Sequence, residues 1–372
     1  MSMSPPEVIK TRTAACKPAR GSDNALGRLF LCTYVMCSEK SLSLQRMNVM
    51  GNRLLLIINP VSGTTSKKGV AEHIERRLCA AGFDVCTEYT TCAGDATRLA
   101  RKGVENGVFG VLACGGDGTV NETARALCNT PVALGIVPTG SGNGLARHIS
   151  IPVDVDGSLD VIEANHVQSC DYGTVCERPF FCTFGVGFDA AVSDHFARQH
   201  RRGLLTYLQS AAHEFMHYES ERYHLEIDGR EFTRDAFLVV CCNASQYGNN
   251  AFIAPDASIR DGLLDITVVR AGNRLQKAVL GFDMMAGFIG KNTLVETVRA
   301  RRAVITRENE GPAHIDGEPI VLGRRLPVEC HAGSLRIFTN PNKGSFTPLI
   351  TPMRMMLNDQ ALAFRRLFYG KI

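Results

Sequence analysis

Short apolar runs alternate with segments of helical periodicity over the first half of the chain. The pattern predicts strands at 53–58, 83–88, 109–114 and 132–137, and helices at 67–81, 94–106, 119–128 and 155–164. Strands that alternate with helices of this length form a parallel sheet with helices on both faces. Residues 51–165 are therefore predicted to form a parallel α/β domain.

The pattern changes after residue 165, where short strand-like runs dominate. These runs are 167–175, 180–185, 222–227, 235–242, 263–270, 296–306, 319–330 and 334–339, with helices predicted near 203–218 and 274–290. Many short strands with few helices are typical of an antiparallel sandwich or an open barrel. We therefore expect residues 166–340 to form a mostly antiparallel β-sandwich domain, so the fold class is α/β plus β.

Both ends of the chain lie outside these patterns. Residues 1–50 mix Pro, Ser, Lys and Arg without a strand–helix rhythm, which is typical of a disordered extension. An alternative is that translation starts at Met47 or Met50. The tail, residues 341–372, ends in an amphipathic segment at 359–369, which we expect to pack back on the body in preference to touching a membrane.

Composition is that of a soluble globular protein. The 372 residues are enough for two domains, and 45% hydrophobic with 21% charged residues is an ordinary balance. The 14 cysteines are spread along the chain without metal-ligand spacing, so free thiols in a reducing cytoplasm are a better account than a disulfide scaffold. A net charge of +4 permits contact with anionic lipid heads and gives no reason to expect a nucleic-acid partner. No apolar run approaches the ~20 residues that a membrane-spanning helix needs.

Glycine-rich turns follow three of the predicted strands. They are 59–64 (Asn-Pro-Val-Ser-Gly-Thr), 115–119 (Gly-Gly-Asp-Gly-Thr) and 138–144 (Pro-Thr-Gly-Ser-Gly-Asn-Gly). Such turns meet at the carboxyl edge of a parallel sheet, and their backbone N–H groups attract anions. A carboxylate here, Asp117, would repel a bare phosphate and makes better sense beside Mg²⁺. Together the three turns predict a polyphosphate site, although the Gly-Asp-Gly turn alone could simply be a solvated turn.

At these turns the chain resembles the diacylglycerol kinase catalytic family, which also contains the sphingosine and ceramide kinases. The matching motifs, in the family's order, are Asn59-Pro60-x-Ser62-Gly63, Gly94-Asp95-Ala96, Gly115-Gly116-Asp117-Gly118-Thr119-x-Asn121-Glu122, Gly140-Ser141-Gly142-Asn143, Asp261-Gly262-Leu263-Leu264-Asp265 and Ile315-Asp316-Gly317-Glu318-Pro319. The resemblance runs from about residue 53 to about residue 340. It implies an enzyme that transfers the γ-phosphate of ATP to a lipid hydroxyl, with Mg²⁺ as cofactor.

The resemblance also implies which residues bind the nucleotide. They are Asn59, Ser62, Gly63, Thr64, Thr90, Gly115, Gly116, Asp117, Gly118, Thr119, Asn121 and Ser141. Asp117 is expected to organise the catalytic Mg²⁺, directly or through water. For Thr90 taken alone, a solvated hydroxyl at a strand end is an equally good interpretation.

Two acids in the last motif match the catalytic base of the family. Alternation along a strand would put Asp316 and Glu318 on one side and Gly317 on the other, so one carboxylate could act as base while the other positions it. We prefer Asp316 slightly. The alternative is a plain hairpin turn, for which Asp-Gly is a common pair.

A second cation site is implied by bacterial members of the family, which hold a structural Mg²⁺ near the Asp-Gly-Leu motif. The matching positions are Ser258, Asp261 and the carbonyl of Leu263, and such oxygen ligands suit a hard cation. A plain Asp-Gly turn is an equal alternative.

The acceptor is less well defined. Asp189 lies where sphingosine kinases use an Asp at the lipid head, and the turn 140–143 looks like the sphingoid-kinase version. The compact size instead resembles bacterial glycerolipid kinases, so we expect diacylglycerol or a related glycerolipid. A sphingoid-base or ceramide kinase is the main alternative.

Two other classes use the same phosphate turn. NAD kinases share Gly-Gly-Asp-Gly-Thr, but Asn121-Glu122 and the Asp-Gly-Glu motif favour the lipid-kinase branch. A non-catalytic nucleotide-binding regulator would lose the acids that are present here. We therefore expect a cytoplasmic enzyme that meets its lipid substrate at a membrane surface, and a homodimer is compatible with the sequence.

Overall fold

Four parallel strands form the first part of a mixed sheet in this computed structural model, which describes residues 52–62, 69–198, 218–248 and 251–341. The strands are β1 (Arg53–Ile58), β2 (Asp84–Tyr89), β3 (Gly110–Gly115) and β4 (Ala133–Pro138), in the order β4–β3–β1–β2. The three inner strands are buried almost throughout, whereas β2 lies at the edge and alternates between exposed and half-buried residues. This difference explains why the inner strands read as continuous apolar runs.

Helices cover both faces of this parallel part. They are α1 (Val70–Ala80), α2 (Asp95–Glu105), α3 (Asp117–Leu127), the short α4 (Gly144–His148) and α5 (Val155–Glu163). Because successive strand residues point to opposite faces, β1 serves two cores. Leu55 and Ile57 belong to the core formed with α2 and α3, while Leu54 and Leu56 belong to the core formed with α1 and α5.

Antiparallel strands make up the second part of the sheet. They are β5 (Val167–Val175), β6 (Arg178–Phe180), β7 (Thr183–Gly187), β8 (Glu221–Ile227), β9 (Arg230–Cys242), β10 (Leu264–Arg270), β11 (Val295–Ala300), β12 (Arg302–Arg307), β13 (Gly311–Ile315), β14 (Glu318–Leu322) and β15 (Arg325–Phe338). Within the described ranges, two helices, α6 (Phe188–Arg198) and α7 (Arg274–Ala286), and a 3₁₀ turn (Ile289–Lys291) accompany them. The predicted fold class, α/β followed by a β-sandwich, is confirmed.

One long strand joins the two parts. The first half of β15 pairs antiparallel with β12, and its end pairs parallel with β4 through Arg336 and Ile337. β5 pairs antiparallel with β15 over most of the length of β5, with a register shift between His331 and Leu335. The chain therefore returns to the parallel part after completing the antiparallel one, and the two parts share a continuous sheet.

Several predicted elements differ from the observed ones. The run 296–306 is two strands with a break at Arg301, and 334–339 is the end of β15 rather than a separate strand. The strand β13 and the helix α6 were not predicted at all. The predicted helices at 203–218 and 359–369 and the extension 1–50 lie outside the described residues, apart from Tyr218.

Two expectations from composition hold where the structure describes the chain. No helix in the described ranges is long and apolar enough to cross a bilayer. Cys170, Cys241 and Cys242 are among the cysteines of these ranges that carry free thiols, and all three are buried.

Candidate active site

The three glycine-rich turns meet at the carboxyl edge of the parallel strands. The Asn59 side-chain amide donates to Thr119 Oγ1 at 3.1 Å, which links the first turn to the second. The Ser62 and Thr139 hydroxyls are 3.1 Å apart, which links the first turn to the third. These contacts confirm that the turns form one surface, as the parallel arrangement predicted.

Two further predicted nucleotide residues, Thr90 and Ser141, lie around this edge. The buried Thr90 follows β2 and donates its N–H to the Ile58 carbonyl at 2.9 Å. Ser141 is exposed in the third turn. Gly63 and Thr64 lie outside the described residues. Nucleotide binding by these residues stays a prediction.

Asp117 is the first residue of α3 and fastens the second turn to the third. Its two carboxylate oxygens accept the backbone N–H groups of Asn143 at 2.8 Å and Gly144 at 2.7 Å. Burial raises the pKa of Asp117, the nearby Asp316 carboxylate adds to the rise, and the two N–H groups oppose it. The carboxylate is thus a buried charge that a bound cation would stabilise.

The last residue of the Asp-Gly-Glu motif begins a strand, whereas its first two residues lie in a hairpin turn. Asp316 and Gly317 are its two central residues, with φ of 50° and 83°, between the paired ends of β13 and β14. Positive φ at both positions is what a type I′ turn requires, and Asp-Gly suits it. The predicted strand alternation of Asp316 and Glu318 is therefore wrong, because the local turn preference of Asp-Gly dominates. Both acids nevertheless face the start of α3.

Asp316 is held by four donors. Its carboxylate accepts the backbone N–H groups of Phe181 at 2.9 Å, Cys182 at 2.7 Å and Thr183 at 2.9 Å, and the side-chain amide of Asn121. Burial raises the pKa of Asp316, and the hydrogen bonds from these donors act in the opposite direction. The bond from Asn121, on α3, joins the hairpin to the phosphate turn across 195 residues of sequence.

Glu318 begins β14 and reaches over the second turn. A Cβ atom at Gly118 would lie 2.9 Å from Glu318 Oε1, so only glycine allows this approach without a shift. The residue as a whole is exposed, yet partial desolvation of its carboxylate raises its pKa, as do Glu122 and Asp316, while Arg125 lowers it. Within the described residues the Glu318 carboxylate accepts no hydrogen bond from the protein.

A small cavity lies between the two halves of the site. Asp117, Asn121 and Asp316 line it together with Leu145 and Tyr247, and its volume of about 10 Å³ is near that needed by one water. The side-chain oxygen of Asn121 is buried here and has no hydrogen-bond partner. The Asp117 carboxylate and the orphaned amide oxygen of Asn121 are oxygen ligands of the kind that Mg²⁺ prefers, so these residues fit the predicted cation.

Comparison with known proteins agrees with this geometry. Residues 53–175 match the diacylglycerol kinase catalytic domain, and residues 182–339 match the YegS C-terminal NAD kinase beta sandwich-like domain. A diacylglycerol kinase of Mycobacterium tuberculosis is 30% identical over 260 residues, which are 67% of this chain and 83% of that protein. The chain belongs to the diacylglycerol kinase family of lipid kinases.

Other relatives of this lipid-kinase chain have similar names. A diacylglycerol kinase of Bacillus subtilis is 26% identical over 283 residues, 74% of this chain and 92% of that protein. A probable lipid kinase YegS-like protein of Chromohalobacter salexigens is 30% identical over 249 residues, 65% and 80% of the two chains. The crystal structure of a putative diacylglycerol kinase from Bacillus anthracis superposes with a TM-score of 0.64 at 23% identity, covering 78% of this chain and 97% of that one. That likeness supports the fold alone.

Glu122 has a role that the motif did not reveal. Its carboxylate accepts the N–H groups of Gly94 at 2.8 Å and Ala96 at 3.2 Å, at the start of α2. It therefore satisfies two donors that a helix start leaves unpaired and complements the helix dipole. One contact thus joins two motifs of this lipid-kinase chain, Gly94-Asp95-Ala96 and Asn121-Glu122.

Asp189 is not brought into the cavity. It is buried and accepts hydrogen bonds from the Tyr247 hydroxyl and from His314, behind the Asp316 hairpin. Contact between Asp189 and a lipid head stays a prediction.

The predicted second cation site forms a local turn. Asp261 is exposed and accepts the Leu263 N–H at 3.1 Å, and Ser258 Oγ accepts the Arg260 N–H at 3.3 Å. The alternative, a plain Asp-Gly turn, agrees with these contacts. No cluster of three or more His, Cys, Asp or Glu side chains suited to a metal occurs in the part of the chain that the structure describes. Cation binding by Ser258, Asp261 and Leu263 stays a prediction.

Replacing Asp117 by Asn tests the cation role. We expect turnover to fall by about 10² or more, the scale of losing one preorganised electrostatic group. The melting temperature should change by only a few degrees, because relief of a buried charge offsets the loss of one N–H acceptor. Turnover with Mg²⁺ and the melting curve are the measurements.

Asp171→Asn is the matched control for this variant. Asp171 is a buried residue whose carboxylate, like that of Asp117, accepts two backbone N–H groups, here those of Gly262 and Gly333, both at 2.7 Å. It should show the same structural loss with near-normal turnover. Near-normal turnover in Asp117→Asn would contradict the assignment.

Proposed function

We propose that the protein transfers the γ-phosphate of ATP to the hydroxyl group of a diacylglycerol or a related glycerolipid. The observation that carries this proposal is the bond between Asn121 and Asp316, through which the acid-bearing hairpin meets the glycine-rich turn after β3. Phosphoryl transfer needs a triphosphate site, neutralisation of charge and a base beside the acceptor hydroxyl. Candidates for all three lie along this contact.

The triphosphate lies over the three turns in this proposal. Asn59, Ser62 and Thr139 provide an amide and hydroxyls there, and the start of α3 adds backbone N–H groups that favour negative charge. Mg²⁺, held by Asp117 and the orphaned oxygen of Asn121, would neutralise charge on the phosphates.

Glu318 is better placed than Asp316 to act as general base, and Asp316 fixes the turn that precedes Glu318. A base needs a lone pair that can reach the substrate hydroxyl, and four donors already occupy the Asp316 carboxylate. The Glu318 carboxylate has no such partner in the described residues, faces the second turn across Gly118, and has a raised pKa that favours taking up a proton. This assignment reverses the slight preference for Asp316 that the sequence suggested.

Two isosteric variants separate these roles. Glu318→Gln should lower the catalytic rate by about 10² or more with unchanged ATP affinity and melting temperature, because only the base is lost. Asp316→Asn should also lower the melting temperature, because its new NH₂ group faces N–H donors at a cost of roughly 1–3 kcal/mol. Turnover, nucleotide affinity and melting curves are measured for both. Wild-type turnover in Glu318→Gln would place the base elsewhere.

The burial of Asp189 favours a glycerolipid over a sphingoid base as the acceptor. The ammonium group of a sphingoid base would need an accessible carboxylate, whereas Asp189 is 6% exposed and already holds Tyr247 and His314. A neutral acceptor hydroxyl makes no such demand. The names of the relatives from Mycobacterium tuberculosis and Bacillus subtilis point to the same acceptor class.

The outer face of α7 supports contact with a membrane. Leu275, Val279 and Phe282 lie on one side of this helix and are 75%, 49% and 69% exposed. Lys291, in the 3₁₀ turn after the helix, adds a cation near this segment, which favours an anionic bilayer over an apolar protein partner. The lipid acceptor is therefore proposed to be met at a membrane surface.

A labelling assay tests the proposed reaction. Radiolabelled ATP and Mg²⁺ are added to vesicles of phosphatidylcholine and phosphatidylglycerol that contain diacylglycerol, sphingosine or ceramide, with NAD tested in solution. We expect label on diacylglycerol and protein that co-sediments more strongly as phosphatidylglycerol increases. Label on sphingosine or ceramide would replace the acceptor proposed here, and label on NAD alone would contradict lipid kinase activity.

A further inference from the structure

A buried hydrogen-bond network lies directly behind the Asp-Gly turn. His314 Nε2 is 2.9 Å from Asp189 Oδ2, and the Tyr247 hydroxyl donates to the same oxygen at 2.8 Å. The other Asp189 oxygen accepts the Ala190 N–H at 2.8 Å. On the far side of the imidazole, Nδ1 accepts the Gly317 N–H at 3.4 Å. The network thus ends on the turn that carries the catalytic acids.

These contacts determine the tautomer of His314. Because the Gly317 N–H points at Nδ1, that nitrogen must be an acceptor. The ring proton is then on Nε2 and is donated to Asp189. The side chains of His314 and Asp189 are 1% and 6% exposed, so water does not compete for these bonds.

The packing around the network allows little movement. A Cβ atom at Gly185 would lie 2.2 Å from Asp189 Oδ2 and 2.5 Å from His314 Nε2, so β7 accommodates the pair only through a glycine. The Tyr247 ring packs edge-on to His314 with centroids 5.7 Å apart and also lines the cavity that contains Asp117. The network therefore touches both the hairpin and the cavity.

We propose that His314 is a positioning residue, held in one tautomer by Asp189 and Tyr247, which fixes the Asp316-Gly317 turn and so the reach of Glu318. The inference rests on the proposed function, in which these acids serve phosphoryl transfer. It also gives Asp189 a role inside the protein instead of at the lipid head. An error of about 1 Å in the position of a reacting group can cost 10² in rate, so a loosened turn has a measurable effect.

Rescue by a conservative variant tests the role of the ring nitrogen. His314→Ala removes the acceptor for the Gly317 N–H and should lower kcat by about 10² with unchanged ATP affinity. His314→Asn offers a carbonyl oxygen near the place of Nδ1 and should recover at least ten-fold of that loss. The control is His331→Ala, which removes a histidine of β15 that is bonded to Thr174 of β5, and it should keep normal turnover.

Hydrogen exchange of the hairpin 311–322 provides a readout that does not depend on activity. Exchange should be faster in His314→Ala than in the wild type and close to wild type in His314→Asn and His331→Ala. Unchanged exchange in His314→Ala, or equal loss of kcat in the Ala and Asn variants, would overturn the positioning role. If the wild type labels no lipid while the exchange pattern holds, the proposed function is wrong, but the role of His314 in fixing the hairpin stands.

Discussion

The bond from the Asn121 amide to the Asp316 carboxylate is the contact on which the site depends. It joins α3, whose first residue is Asp117, to a hairpin that comes 195 residues later. Three backbone N–H groups from residues 181–183 complete the shell of Asp316, so the turn is fixed to the start of β7 as well. A single carboxylate thereby fastens the antiparallel part of the sheet to the phosphate turn of the parallel part.

This arrangement buries negative charge, which is unfavourable in the folded protein. Asp117 and Asp316 are close enough to raise the pKa of Asp117, and burial raises the pKa of both. A carboxylate with a raised pKa is harder to keep charged in the folded protein than in the unfolded chain, so its charged form opposes folding above that pKa. A cation at the unpaired oxygen of Asn121 would remove this cost and supply the charge that phosphoryl transfer needs.

Local sequence patterns predicted much of the fold. β1 and β5 were predicted at their observed bounds, and the other parallel strands to within one residue. For β1, β3 and β4 the reason is that buried parallel strands are continuous apolar runs. The sequence could not reveal that β15 returns to pair with β4, since that pairing joins residues 203 positions apart, as in Arg336 and Ala133. β13 was missed because it is only five residues long and begins with Gly-Pro.

For the candidate site, too, local patterns predicted one part and contacts between distant residues decided the rest. The glycine-rich turns and their meeting at one edge followed from strand order, and the resemblance supplied Asp117 and the two acids. Which acid has a free lone pair depended on the donors at residues 181–183, which no local pattern connects to Asp316. The role of Glu122 was missed for a similar reason, because it acts on backbone N–H groups 28 and 26 residues away. His314 was missed although Gly317 is only three residues away, because its contact with Asp189 spans 125 residues and leaves no local signal. The only signal for Glu122 in the sequence was its position directly after Asn121, a predicted site residue.

A double-mutant cycle on Asn121 and Asp316 tests the central claim most directly. Turnover is measured for Asn121→Ala, Asp316→Ala and the double variant, with melting curves beside each. If the bond between these residues joins the two parts of the site, the double variant should be no slower than the slower single variant, because the second change removes a contact already lost. Losses that simply multiply, or full turnover in Asn121→Ala, would show that the hairpin and the phosphate turn work independently and would contradict this account.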